Sequence, residues 1–113
     1  MGYIRHHALV ITAWQKAIAE EIHSTAIEIF GEELSQLISP LVSSLEHDYH
    51  SFFIAPDGGR EWRETSEKTE VARGKFMQYL RDYDDPNMYW MLITYADENG
   101  ITRISDCDKN GSH

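Results

Sequence analysis

The sequence predicts an α+β fold in which a mainly antiparallel sheet carries two helices on one face. The chain has 113 residues, the length of one domain, and 42% of them are hydrophobic, which is enough for a packed core. Two long segments repeat apolar residues with helical spacing, and short runs rich in β-branched and aromatic residues flank each of them. The turn signals between these runs give the order β-α-β-β-α-β-β.

The first half of the chain contains three predicted strands and one helix. The apolar run 3–11 predicts the first strand. Residues 12–15 have the spacing of a helix capping box, and Gly31 is suited to end the helix that follows. The second strand is predicted over residues 41–45 and the third over residues 50–55, with a polar turn between them.

The second helix follows a strong turn signal. Residues 56–59 read Pro-Asp-Gly-Gly, a sequence that favours a tight turn. Apolar residues at helical spacing predict a helix that begins within residues 62–66. The segment 84–87, Asp-Asp-Pro-Asn, is expected to end it.

The last two strands are predicted to form a hairpin. Residues 89–96 indicate the fourth strand and residues 101–105 the fifth. Asn99-Gly100 between them is typical of a two-residue turn, because both of its central residues need positive φ. A loop of that length would set Tyr95 opposite Ile104.

This order of elements suggests a ferredoxin-like sandwich, in which the first and third strands are central and the fourth lies beside the first. Right-handed β-α-β crossovers would place both helices on the same face. Residues 1–106 are predicted to form this single domain, and residues 107–113 to form a polar C-terminal tail.

Both faces of the predicted sheet are apolar. Residues 89–95 read YWMLITY and hardly alternate between apolar and polar side chains, as a strand with one hydrated face would. Two helices cover one face, so we expect the other to expose an unusually large apolar patch and to be covered by a second copy in a homodimer. A ligand, a foreign protein, residues 32–40 or the tail are the alternative covers. The residues expected on the face without helices are Trp90, Leu92, Thr94 and Arg103.

Charge and composition restrict the partners. Nineteen acidic residues against ten basic ones give a net charge of −9, which disfavours nucleic acid and anionic membrane surfaces. The excess acid is explained by solubility, or alternatively by docking on a basic protein surface. The single cysteine, Cys107, fits a reducing compartment, and the sequence has no run of about 20 consecutive apolar residues. No signal peptide is expected. A cytoplasmic location is therefore predicted.

Polar residues from separate segments are predicted to converge at one end of the sheet, where the start of the first strand lies beside the end of the third. A Gly-Gly turn before a helix can present backbone N–H groups to an anion, and a tryptophan can stack on a ligand. A small anionic ligand is therefore a candidate occupant of this end of the sheet. The candidate binding residues are Arg5, His6, His7, Asp57, Gly58, Gly59, Arg60 and Trp62.

Other interpretations of these residues stay open. The loop can be a polar turn without a ligand, or His6 or His7 can act with Asp57 and Arg60 in a small enzyme. Catalysis is the less favoured interpretation, because no nucleophile lies in a recognisable motif. No metal or cofactor is expected, since the histidines near residues 47–50 lie at the opposite end of the sheet from the first pair.

Two segments resemble parts of small uncharacterised proteins encoded by bacteriophages and prophages. They are GYIRHHA at residues 2–8 and SFFIAPDG at residues 51–58, and the similarity extends to Glu61-Trp62 and the following helix, but not to residues 32–47. This resemblance implies a phage accessory factor in a bacterial cytoplasm. By analogy such a protein would bind a host protein or sequester a small anionic ligand, and the resemblance assigns no functional residue.

Overall fold

The computed structural model describes residues 5–59, 63–83, 85–95 and 102–108. The strands are β1 (His6–Trp14), β2 (Val42–Ser43), β3 (Tyr49–Ile54), β4 (Met88–Tyr95) and β5 (Arg103–Cys107). The helices are α1 (Lys16–Leu34), a short 3-10 turn (Ser35–Leu37) and α2 (Glu64–Tyr83). The strands form one sheet in the order β2-β3-β1-β4-β5, and all neighbours are antiparallel.

The predicted fold class is confirmed as α+β, with two helices and a five-stranded antiparallel sheet. The strand count and order differ from those of a four-stranded ferredoxin-like sandwich, because β5 extends the sheet beyond β4. β5 also continues to Cys107, one residue into the predicted tail. None of the helices in the described ranges is long and apolar enough to span a membrane.

The core lies between the two helices and one face of the sheet. Alternate residues of β1 point into it, including Leu9 and Ile11, and their neighbours on β3 and β4 lie on the same face. α1 contributes residues four apart, such as Ile22 and Ala26, and Phe76 of α2 is fully buried. This cluster determines which face of the sheet is covered.

The junction between β1 and α1 differs from the predicted capping box. β1 continues to Trp14, and the Thr12 hydroxyl forms a hydrogen bond of 2.8 Å with the Ser51 hydroxyl on β3 instead of capping the helix. Gln15 precedes the helix with φ of 73° and no side-chain cap. The capping-box prediction is wrong because strand pairing with β3 and β4 occupies residues 12–14.

Gly31 interrupts α1. Its φ of 80° and ψ of 173° lie in a region that is essentially restricted to glycine. The regular helix kinks there and resumes for a further turn to Leu34, so Gly31 breaks the helix near the predicted end without terminating it.

The predicted orientation of the hairpin is wrong. Trp90, Leu92 and Thr94 are 3%, 9% and 0% exposed and lie on the face that the helices cover. They share this face because Trp90 pairs with Ile11, a core residue of the central strand. Arg103 pairs with Thr94 at the edge of the same face, so none of the four lies on the face without helices.

The register of the hairpin also differs from the predicted one. Ile93, and not Tyr95, pairs with Ile104, and an irregularity follows between Leu92 and Ile93. The turn predicted at Asn99-Gly100 lies outside the described residues. The shift from Tyr95 to Ile93 is two residues, so Arg103 and Ile104 keep their predicted faces relative to β4. Beyond the irregularity the offset is one residue, and Cys107 pairs with Met91 on the face of Ile104.

We call the face of the sheet away from the helices the open face. Large apolar side chains are exposed on it, at 40% for Phe53, 37% for Met91 and 61% for Ile104. The prediction of an apolar face without helices is therefore confirmed, with different residues. Its strand residues include no Asp, Glu, Lys or Arg, and within the described strands they are His6, Ala8, Val10, Thr12, Trp14, Val42, Tyr49, Ser51, Phe53, Tyr89, Met91, Ile93, Tyr95, Ile104 and Cys107.

Candidate functional site

A polar cavity of about 460 Å³ lies where the start of β1, the loop after β3 and the first half of α2 meet. β1 is antiparallel to β3, so the start of one strand lies beside the end of the other. The described residues that line the cavity are Arg5, His7, Pro56, Asp57, Gly59, Ser66, Glu70 and Arg73.

Asp57 holds the loop that forms one wall of the cavity. Its Oδ1 atom accepts hydrogen bonds from the Gly59 backbone N–H at 2.8 Å and from the Ser66 hydroxyl at 3.3 Å. The first bond is an Asx turn, which closes the loop on itself, and the second ties the loop to α2. A Cβ atom on Gly59 would approach the Ser66 Oγ atom to 2.7 Å, so a larger residue here would force the Ser66 side chain to move.

The surroundings of Arg73 in α2 affect the pKa of its side chain. Burial lowers the pKa of its guanidinium group, and the Asp57 and Glu70 carboxylates act in the opposite direction. The side chain stays protonated at neutral pH, so a partly dehydrated cation lines the cavity. Among the described residues, neither carboxylate approaches Arg73 within the 4.0 Å of an ion pair.

His7 is held at the opposite wall by neighbouring strands. Its Nδ1 atom forms a hydrogen bond of 2.9 Å with the Thr94 hydroxyl, which in turn is 2.6 Å from the Ser105 hydroxyl of β5. Thr94 is fully buried, so this chain of hydrogen bonds fixes the imidazole relative to the sheet.

The structure brings together four of the eight candidate residues predicted from the sequence. Arg5, His7, Asp57 and Gly59 line the cavity. Gly58 is exposed in the adjoining loop, where its φ of 76° favours glycine. His6 lies on the open face, with its ring 5.2 Å from that of Tyr95.

The remaining two candidates, Arg60 and Trp62, lie outside the described residues. Sequence reasoning missed the three cavity residues contributed by α2, which are Ser66, Glu70 and Arg73. Their spacing of four and then three residues places them on one side of a helix that begins directly after the Gly-Gly turn. That pattern was the available signal.

A second cavity, of about 510 Å³, lies between the end of α1 and the start of α2. Its lining includes apolar side chains such as Ile29 and Val71. The Lys68 ammonium group on its rim is 3.4 Å from the Glu64 carboxylate four residues earlier, a solvent-exposed pair. The first cavity brings arginines, carboxylates, an imidazole and a hydroxyl around one space. It is therefore the stronger candidate site.

His50 lies in a separate polar cluster at the opposite end of β3. Its Nε2 atom donates to the Asp48 carboxylate at 2.6 Å, and its Nδ1 atom is 3.1 Å from the Ser43 hydroxyl. The order hydroxyl, imidazole, carboxylate is also that of a catalytic triad. Neither cavity described above reaches it, and His50 is 6% exposed, so we interpret the cluster as a brace between β2 and β3.

Within the described parts of the chain, no group of three or more His, Cys, Asp or Glu residues is placed to hold a metal ion. No family model, curated protein or solved structure matches the chain. The resemblance to phage-encoded proteins therefore stays a hypothesis.

Proposed function

We propose that the chain is a non-catalytic binding protein whose polar cavity holds a small ligand with an anionic group, such as a carboxylate or a phosphate. The observation that carries this proposal is the partly buried Arg73 guanidinium in the cavity wall. A planar guanidinium group presents two parallel N–H donors and is the side chain best suited to bind either anion in a bidentate manner.

The charges around Arg73 favour a ligand that also carries hydrogen-bond donors. Arg5 and Arg73 supply two positive charges, and Asp57 and Glu70 supply two negative ones. The charges of the described lining residues thus nearly cancel, in a chain whose net charge is −9. A ligand could place its anionic group on Arg73 and its donors on the carboxylates. The cavity volume of about 460 Å³ lies within the range of pockets for small molecules.

The alternative is a small enzyme in which His7 and Asp57 perform acid–base chemistry. The Asp57 Oδ1 atom already accepts two hydrogen bonds that hold its own loop, which supports a structural role for this carboxylate. The geometry thus favours binding over catalysis.

Thermal unfolding with and without an anion tests the proposal, with inorganic phosphate and succinate as probes and sodium chloride at matched ionic strength as the reference. A probe at 10 mM with a Kd of about 1 mM would stabilise the folded state by about 1.4 kcal/mol, a rise in Tm of roughly 5 °C. We expect Arg73→Gln to lose this rise.

Lys75→Gln is the matched control, because it removes the same charge from an exposed position of α2 that does not line the cavity. It should keep the full rise in Tm. The proposal is contradicted if neither probe raises the Tm above the chloride reference, or if both variants respond like the wild type. Circular dichroism of each variant establishes that it is folded.

The fold and the biological context enter the proposal as well. We infer a ferredoxin-like sandwich extended by one strand, which is supported by the position of β1 between β3 and β4 and by two helices on one face. The resemblance of the GYIRHHA and SFFIAPDG segments supports an accessory role for a phage in a bacterial cell. In that setting the ligand would be a host metabolite.

A further inference from the structure

We propose that the open face of the sheet binds the open face of a second copy of the chain and forms a symmetric homodimer. This inference concerns a surface separate from the polar cavity, because the cavity lies on the side of the sheet that carries α2.

The charge pattern of the surface is the first observation. The chain contains 29 charged residues other than histidine, and none of them occupies an open-face position of the described strands. Two copies with a net charge of −9 each repel one another wherever their carboxylates approach. The open face is a surface on which they can meet without placing like charges opposite each other.

The polar groups at the centre of the open face tolerate burial. Thr12 lies in the central strand, and its hydroxyl is hydrogen-bonded to that of Ser51 at 2.8 Å. The two hydroxyl groups are thus hydrogen-bonded to each other. Burying this pair costs less free energy than burying two hydroxyls that have no partner. Around this pair lie Val10, Phe53 and Met91, which are neighbours in the register.

The area of the face suits a modest dimer. The five strands have 9, 2, 6, 8 and 5 residues. With strands about 4.8 Å apart and a rise of about 3.4 Å per residue, they cover roughly 500 Å². Two copies would bury about 1,000 Å², the size of a weak or transient specific interface. Sheets that pack face to face lie about 10 Å apart with their side chains interdigitated, which exposed Trp14, Phe53 and Tyr89 side chains permit.

A second copy fits this face better than a charged partner does. A basic protein would be attracted to the acidic helix surfaces, and the open face offers it no carboxylate. A two-fold axis brings the same patch onto itself, and because its described strand residues include no Asp, Glu, Lys or Arg, no like charges meet among them.

Analytical ultracentrifugation of the full chain between about 1 and 200 µM tests the proposal. We expect the mass to rise with concentration towards twice the 13.1 kDa of the single chain. Met91→Lys places a charge near the centre of the face in both copies and should raise the dissociation constant at least tenfold. Ser24→Lys makes the same charge change on the exposed side of α1 and should leave the constant unchanged.

Tyr89→Lys is a second variant in case Met91→Lys does not fold, which circular dichroism would reveal. A monomer at all concentrations would overturn the proposal, and so would a dimer that withstands both open-face substitutions. The last result would point to pairing through an edge strand or to another surface. The proposal would also be contradicted if Ser24→Lys raised the dissociation constant as much as Met91→Lys, because the change in net charge alone would then explain the effect.

Discussion

Replacing Trp90 by alanine is expected to destabilise the protein far more than replacing its neighbour Tyr89. The two residues are adjacent in β4 and point to opposite faces of the sheet. Trp90 is 3% exposed beneath the helices, whereas Tyr89 is 39% exposed on the open face. This pair of variants therefore tests which face the helices cover.

The expected magnitude follows from the buried area. A tryptophan side chain buries up to about 250 Å², and truncation to alanine removes roughly 150 Å² of buried apolar area, which at about 25 cal/mol per Å² gives about 4 kcal/mol. The Arg81 guanidinium carbon lies 5.7 Å from the centre of the Trp90 ring. This cation–π contact adds about 0.5–1 kcal/mol. Measured truncations of buried aromatic residues cost about 3–5 kcal/mol, in agreement.

Urea unfolding followed by far-ultraviolet circular dichroism measures both variants independently of tryptophan fluorescence. We expect Trp90→Ala to lower the free energy of unfolding by about 3–5 kcal/mol. Tyr89→Ala should lower it by less than about 1.5 kcal/mol at low protein concentration, where open-face contacts with a second copy are absent. Equal losses, or a larger loss at Tyr89, would refute the orientation of the sheet.

Two further predictions concern the helices. Gly31→Ala should lower the free energy of unfolding by about 1–3 kcal/mol, because alanine does not tolerate the backbone conformation of Gly31. Gly74→Ala within α2 should instead raise it by about 0.5–1 kcal/mol. Urea unfolding measures both variants, and a loss of stability at both sites would contradict this prediction. Burial and a hydrogen bond donated to Glu21 raise the pKa of Tyr83 to about 12. Its stabilising contribution should be complete below pH 10, the ordinary pKa of tyrosine, and fall as the pH rises to 12, because the unfolded chain loses the proton first. Tyr83→Phe should remove this part of the alkaline loss of stability, and identical pH profiles for variant and wild type would refute the assignment.

The sequence predicted the two faces of the first, third and fourth strands correctly but not which face the helices cover. Both faces of β4 are rich in large apolar residues, so the pattern alone did not distinguish them. The central strand carries the difference, since Leu9 and Ile11 alternate with the smaller Ala8 and Val10. The longer side chains fill the space beneath the helices, because protein interiors are closely packed.

The start of α1 shows a competition that local sequence does not resolve. Thr12 has capping-box spacing and also the β-branched side chain that strands favour. Pairing with two neighbouring strands extends β1 to Trp14 and leaves the helix without a side-chain cap. Interactions between segments distant in sequence decided the boundary.

The candidate site was predictable on the strand side and not on the helix side. Antiparallel pairing of the first and third strands places Arg5 and His7 near Asp57. Arg73 follows Asp57 by sixteen residues, and its position depends on the rotation of α2 about its own axis. The sequence pattern identifies the apolar side of that helix but does not show which polar residues flank the cavity.

Titration of the isotope-labelled chain with inorganic phosphate, followed by nuclear magnetic resonance, tests the proposed site most directly. We predict saturable shifts of the Gly59 and Ser66 amide signals and of the Arg73 side-chain N–H signal. The Lys75 amide should not follow the same curve, because Lys75 does not line the cavity. Shifts that do not saturate, or that spread evenly over the surface, would show that the cavity does not bind an anion.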